Sequence, residues 1–511
     1  MLLEIMYRDM KKINLITIIL GYLFFSLTQI THAQVTNELW KNISGEEYDY
    51  TKTLHPERVY MNAYHQMQVM KIMLSMPDGK GGTNVYYTFE QVLSVIKQLD
   101  AVSRGIPKLI FLVGWQYNGH DDKYPAWFEV NNALKRACDA TGRESILWLA
   151  KEVRKYNTQI SVHVNMTDAY QESPLWNEYF NKGLISRNED GTPLQIGVWN
   201  NLKAYQVCYK NEWNSGYAVK RINALLELLP FIQESGAIMI DAFFSRENPY
   251  EHISQEEEES YQRRIFRYFR EKGIDVTHES FNRLREGKDH FIGVTPWFLW
   301  FDAMEADYMK YPAYLVTGGA SYPFINQFPE LAKELLQLGF LFGMSGRGED
   351  CFGDINNNLM PVKDWLKKYR YQFYTGTLPY VYLNRYRRER LVGEENERIV
   401  YYNDNLISSL KDSTIVHHGR LLRDKNNIFM PAIWRAEREY IAYSVDGYKD
   451  KSWQLPPDWS DVYSVDIYRI TSDGLFKKEV IICEEGKITF SLDPNEAISI
   501  FPSVGYHREI K

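Results

Sequence analysis

Two acids at the ends of apolar runs set the chemistry to consider. Asp241 closes the run Gly236–Asp241, and Glu279 closes Ile274–Glu279. Extended backbone alternates its side chains, so Ala237, Met239 and Asp241 share one face, as do Asp275, Thr277 and Glu279. The two acids lie 38 residues apart in the chain, close to one β-α unit of ~30 residues plus a loop. Held ~5–5.5 Å apart, one carboxylate can attack an anomeric carbon while the other protonates the leaving oxygen. That division of labour needs one group ionised and the other with a raised pKa. A strand-end Asp by itself is more often a helix cap or an ion-pair partner; a second inward acid on the next repeat moves the balance toward catalysis. His278 reads as outward-facing and is not chosen as the proton donor.

Other strand ends carry polar groups as well. Gly114–Asp122 brings His120 and Asp121, and the run ending at Asn165 brings His163. One His with Asp121 and Asp122 in a Gly-flanked turn is a weak metal signal, so neither a metal nor a cofactor is expected. Glu349, in the loop Gly348–Asp354, is a candidate for binding substrate or for capping a helix. Trp297, near Trp300 and Asp302, is a candidate for a substrate-facing ring or for packing. The acidic run Glu256–Glu259 opens a helix whose far end carries Arg263, Arg264, Arg267 and Arg270. That pattern suits the helix dipole and reads as a solvated face.

These residues need a scaffold of alternating helices and strands. Capping boxes are expected at Thr88–Gln91 and Thr141–Glu144, with further caps at Ser215 and Ser254. Strands are expected at 108–114, 159–165, 236–241 and 274–279, and shorter ones at Phe291–Thr295, Ala313–Thr317 and Leu338–Phe342. A first strand near Val59–Ala63 makes eight, which fits a (β/α)8 TIM-type barrel. No Gly-rich phosphate turn supports an open doubly wound sheet. Beyond Glu397, short strand-like segments separated by turn residues predict a C-terminal β-sandwich. The expected layout is a signal peptide over 1–33, a lead-in over 34–54, the barrel over 55–395 and the sandwich over 396–511.

Bulk properties narrow the function classes. The chain has 511 residues, a net charge of −7 and no block of Lys or Arg, so a nucleic-acid partner is not expected. Lys11 and Lys12 precede the apolar run Ile13–Leu27, followed by Thr31-His32-Ala33. A basic start, a short apolar stretch and a small residue before the cut read as an export signal cleaved after Ala33. The expected destination is secreted or periplasmic, with no membrane association after cleavage. The four cysteines allow three disulfide pairings, with isolated buried thiols the favoured reading.

The motifs resemble a known family. Trp115-Gln116-Tyr117-Asn118-Gly119-His120-Asp121 resembles the G-Y-Q-x-E-G-H-D-S loop of glycoside hydrolase family 101, the endo-α-N-acetylgalactosaminidases. Val162-His163-Val164-Asn165 with Asp168-Ala169-Tyr170 resembles its G-V-H-I-N…E-x-Y-P segment. Ile238-Met239-Ile240-Asp241 and Thr277-His278-Glu279 are similar to the strands bearing that family's nucleophile and acid/base. Family 129, of exo-acting α-N-acetylgalactosaminidases, is similar at the same places. The resemblance spans roughly residues 105–300. It implies a catalytic Asp241 and Glu279, with His120, Asp121, His163 and Asn165 lining the sugar pocket and Trp199 covering the sugar or, equally, packed in the core. Asn118 and Asp122 depart from the motif, which puts selectivity for the N-acetyl group or the 4-hydroxyl in question. The expected function is a retaining hydrolase of α-linked GalNAc or galactose on O-glycan-type carbohydrate. The rivals are a retaining α-glycosidase of other specificity and a non-catalytic glycan-binding protein.

Overall fold

A computed structural model describes residues 61–278, 292–293, 308–309, 329–346, 348–352 and 364–503. The leader segment, the expected strand Ala313–Thr317, Glu279 and Trp297 lie outside the described residues.

Among the described residues six parallel strands form the first sheet: β1 (Gln68–Met73), β4 (Lys108–Val113), β5 (Thr158–Asn165), β9 (Ala237–Asp241), β10 (Asp275–His278) and β11 (Ile292–Gly293), side by side in that order. Spatial order follows chain order with no switch point. This is the winding of a TIM-type α/β barrel, whereas a doubly wound sheet reverses direction midway. Strands β1 and β4 are buried along their whole length, as strands covered on both faces must be.

The crossover helices form where the caps predict. Thr88 and Gln91 close a reciprocal capping box at the head of the helix Phe89–Ser103, and Thr141 with Glu144 does so for Gly142–Glu152. Each such cap stabilises its helix by about 1 kcal/mol. Ser254 caps Gln255–Glu271 by accepting from Glu257 N–H at 3.2 Å.

Three expectations are corrected. Among the described residues the first strand is Gln68–Met73; of the expected Val59–Ala63 only 61–63 are described and they are not strand, and Tyr64–Gln66 forms a short 3-10 turn. Leu338–Phe342 is not a strand but the end of the helix Pro329–Phe342; periodicity over five apolar residues cannot separate the two. Ser215 caps no helix. Its hydroxyl donates back to Asn211 O and Glu212 O, and Gly216 starts Tyr217–Leu228, which ends before Pro230.

Two small sheets rise from the barrel mouth. β2 (Ser75–Pro77) pairs with β3 (Thr83–Val85). β6 (Asp168–Tyr170), β7 (Gln195–Trp199) and β8 (Leu202–Gln206) form an antiparallel flap in the order β6-β8-β7.

From Arg388 to Pro502 the strands are antiparallel. A ten-stranded sheet carries a two-stranded ribbon (Tyr448–Gln454 with Lys487–Leu492) over one face. Trp453, Ile488 and Phe490 of the ribbon pack on Phe429, Tyr440, Ile467 and Ile498 of the sheet, a lopsided sandwich with a closed apolar core. Arg104, just past a barrel helix, donates to buried Glu439 of this domain at 2.6 Å. All four cysteines are free thiols, but only Cys208 and Cys351 are buried; Cys138 is exposed and Cys483 half-buried. Among the described residues no helix is long and apolar enough to cross a membrane.

Candidate active site

The polar groups converge where barrel strands end. Parallel pairing sets His163 opposite Met239 and Asn165 opposite Asp241, so β5 and β9 raise their inward residues in step. His163 Nε2 lies 3.8 Å from Asp241 Oδ1. The side chain of Asp241 is 17% exposed while that of His163 is 3% exposed. The carboxylate is therefore the member that a ligand can reach. The His120 ring meets the His163 ring edge to face at 5.2 Å, and His120 Nε2 is 3.4 Å from Asp121 Oδ2.

Loop 114–122 is shaped by steric necessity. Gly114 (φ +73°) and Gly119 (φ +134°) lie against β2, where an added Cβ would come within 2.1 Å of Ser75 O and 2.6 Å of Met76 Cα. Only glycine permits this approach. His120 N–H then bonds Ser75 O at 3.0 Å, and the Ser75 hydroxyl donates to Gly114 O at 2.6 Å. Trp115 Nε1 donates to His163 O at 3.1 Å, joining the ends of β4 and β5. Asp122 closes the loop by accepting from Asn118 N–H at 3.1 Å.

The strand end bearing Asp241 is clamped from two sides. Ala242 has φ +42°, costly for a residue with a Cβ unless its surroundings enforce it. The Thr167 hydroxyl donates to Ala242 O at 2.7 Å, and Phe243 N–H donates to His278 Nε2 at 3.1 Å. His278 is thus a buried acceptor that fixes the turn after Asp241. Thr277 stands opposite Met239, which is two residues short of Asp241 on β9. Asp275 is held at the opposite end of β10 by Met61 N–H and the Tyr64 hydroxyl.

Electrostatics separate the groups. Burial pushes His163 well below the usual imidazole range, and Lys71, His120 and His278 oppose its protonation further. It is a neutral ring at physiological pH. Asp168 is pushed up to about 7, first by burial and then by the charge of Asp121; Tyr170 O–H donates to it at 3.2 Å. Burial, with Asp121, Asp241 and Asp168 behind it, holds the Tyr124 phenol well above its ordinary value, and Gln116 Nε2 donates to its oxygen at 2.9 Å. The mouth therefore combines carboxyl oxygens with neutral hydrogen-bond groups, a lining suited to hydroxyls.

Asn165 plays a shaping part: its Oδ1 accepts from Thr167 N–H and Asp168 N–H, turning the chain from β5 into β6. Trp199 is 41% exposed on the flap, which removes the core-packing alternative. Its neighbour Asn200 donates to His120 O at 3.1 Å and latches the flap tip onto the site loop. Glu349 begins the short helix Glu349–Phe352. The acidic run Glu256–Glu259 is not wholly a solvated face. Glu258 is buried and accepts from Tyr209 N–H at 2.7 Å and Lys210 N–H at 3.2 Å, serving the helix Tyr209–Asn214 from outside.

Sequence reasoning missed Lys71, Gln116 and Tyr124 as members of the constellation. Tyr124 stands three residues past Asp121, inside a stretch already singled out; Lys71 lay before any strand that the pattern located correctly. Ligand atoms of His120, Asp121 and Asp241 lie within 4.8 Å of one another. That spacing fits a cation, or hydroxyls of one ring.

Residues 60–291 match the family model for endo-alpha-N-acetylgalactosaminidase, Glyco_hydro_101. The chain resembles glycoside hydrolase family 101. The match takes in every described site residue from Lys71 to His278. Among solved structures, the ligand-free alpha-N-acetylgalactosaminidase of Bifidobacterium bifidum is 13% identical, with 68% of this chain and 57% of that chain covered at a TM-score of 0.46. Its complex with Gal-NHAc-DNJ is 12% identical, covering 77% and 61%, at 0.48. An Anoxybacillus alpha-amylase is 12% identical, covering 87% and 100%, at 0.42. The chain thus spans somewhat more than half the length of the first of these structures.

Proposed function

We propose that this protein is a glycoside hydrolase, a retaining α-glycosidase that removes α-linked N-acetylgalactosamine or galactose from O-glycan-type carbohydrate outside the cytoplasm. One observation carries the reading: a reachable Asp241 carboxylate stands at a barrel strand end, faced by a neutral His163 at 3.8 Å. With one ring nitrogen a donor and the other an acceptor, a neutral imidazole can orient the carboxylate or a sugar hydroxyl beside it.

Asp241 attacks the anomeric carbon, and Glu279 gives its proton to the leaving oxygen. Glu279 then takes a proton from water, which cleaves the glycosyl ester and restores Asp241. Asp121 and His120 hold ring hydroxyls, and the negative oxygens of Asp121 and Asp241 stabilise the oxocarbenium-like transition state. Trp199 and the flap cover the sugar.

Incubation with a panel of nitrophenyl α-glycosides and with a mucin glycopeptide, read by mass spectrometry, tests the proposal. Release of α-GalNAc or α-galactose, with a first-formed α-anomer, is expected. Turnover of a different α-sugar would move the specificity. Glycan binding without turnover of any α-glycoside would leave a binding protein.

A further inference from the structure

Two hairpin turns of the C-terminal sheet meet away from the barrel mouth. Asp404 lies in the turn between strands Ile399–Tyr402 and Leu406–Ser409, and His417-His418 lead into the turn between Thr414–His417 and Arg420–Asp424. The strands are neighbours, with Leu406 opposite His417. On a continuous strand, His417 and His418 would face opposite sides. A φ of +49° at His418, followed by Gly419 at +75°, ends the strand there, and the two rings stack at 4.4 Å.

Both imidazoles reach the same acid. His417 Nε2 is 3.4 Å from Asp404 Oδ2, and His418 Nε2 is 3.2 Å from Asp404 Oδ1. The three ligand atoms lie within 4.8 Å of one another. Zinc with bonds of ~2.0–2.1 Å places neighbouring tetrahedral ligands ~3.3–3.4 Å apart; each imidazole stands at that spacing from one of the two Asp404 oxygens. The far nitrogen of His417, Nδ1, lies 2.6 Å from the Tyr382 hydroxyl, the kind of outer partner that orients a metal-binding imidazole.

We propose that Asp404, His417 and His418 bind a divalent cation of the zinc class, with water completing the shell. Two imidazoles and one carboxylate favour zinc over calcium, which takes six or more oxygens. His417 Nε2 lies 3.0 Å from Asp404 O in the structure; binding displaces that hydrogen bond, places the His417 proton on Nδ1, donated to Tyr382, and gives Nε2 to the metal. The ion joins two turns and, through Tyr382 on the helix Leu378–Leu383, ties the sheet to the chain that enters it. A plain ion pair is the competing explanation; Asp404 and His418 are both about half exposed, where such a pair contributes little.

The test is calorimetric titration of Zn2+ into chelator-treated full-length protein. Binding at this site with a Kd of about 10 µM or tighter is expected. His418→Ala and Asp404→Ala, both at exposed positions, should each weaken it by about 10-fold or more, while Asp241→Asn should leave it unchanged. Co2+ should give the visible bands of a four-coordinate site in wild type and lose them in His418→Ala. Unchanged Zn2+ binding in His418→Ala, absence of binding in wild type, or loss only in Asp241→Asn would each overturn the assignment.

Discussion

His278 and Phe243 are joined across β10 and β9: the backbone N–H of Phe243, two residues past Asp241, donates to His278 Nε2 at 3.1 Å. The bond fixes a turn that begins with Ala242 at φ +42°. His278→Ala leaves a buried N–H without its partner, at a cost of about 1–3 kcal/mol, and frees the carboxylate next to it. Small misplacements of a reacting group cost ~10²-fold in rate. Steady-state kinetics should therefore show kcat reduced about 10- to 100-fold with KM little changed and the circular dichroism spectrum retained. Unaltered kcat would deny His278 its positioning role.

How much of this was legible beforehand differs by element. Asp241 is reached by strand parity, and His163 and the loop around His120 by their places at strand ends, because both are local rules. β1 was misplaced, since a buried strand such as Gln68–Met73, with Lys71 in its middle, has neither alternation nor an uninterrupted apolar run. The helix Pro329–Phe342 was misread at Leu338–Phe342 because five apolar residues serve either state. Glu258 was misassigned because its partner, the head of Tyr209–Asn214, comes from about 50 residues away, and no sequence window joins the two. The clamp by Thr167 and His278 is likewise tertiary.

Asp168 supplies a prediction about stability and pH. Its folded pKa is pushed up to about 7 from a usual 3.8, so the folded protein favours the protonated form. The resulting penalty is absent below about pH 4, grows as pH rises, and is complete above about pH 7. Asp168→Asn removes the titration. Thermal melts should show the variant gaining on wild type as pH rises from 4 to 8. A Tm difference that is flat across that range would contradict the shift.

His163 acts in the opposite direction. Its folded pKa is depressed below 6.5 by burial, so protonation favours the unfolded chain. The contribution of the neutral ring is present above about pH 6.5 and is lost as pH falls below it. His163→Gln should flatten the acid side of the stability profile relative to wild type. An equally steep acid limb in the variant would show that His163 titrates normally.

Gly119 has no room for a side chain. A Cβ there would sit 2.6 Å from Met76 Cα at φ +134°, so Gly119→Ala must push loop 114–122 off β2. A loss of about 2–4 kcal/mol in urea unfolding, with KM raised several-fold, is expected from the clash and the backbone strain. A variant as stable as wild type would show that the loop does not rest on β2.

Trp199 stands on the flap latched by Asn200 to His120 O. Trp199→Ala should raise KM for a glycopeptide about 5- to 10-fold while kcat holds, the signature of binding lost equally in ground and transition states. A fall in kcat alone would place the ring in the chemical step.

The most direct test concerns Asp241. Enzyme mixed with a slowly hydrolysed activated α-glycoside, quenched in acid and digested, should yield one peptide heavier by a glycosyl group, with the sugar esterified to Asp241. The same digest of Asp241→Asn should carry none. A label on another residue, or hydrolysis that proceeds with an unlabelled Asp241 and an inverted first product, would contradict the assignment.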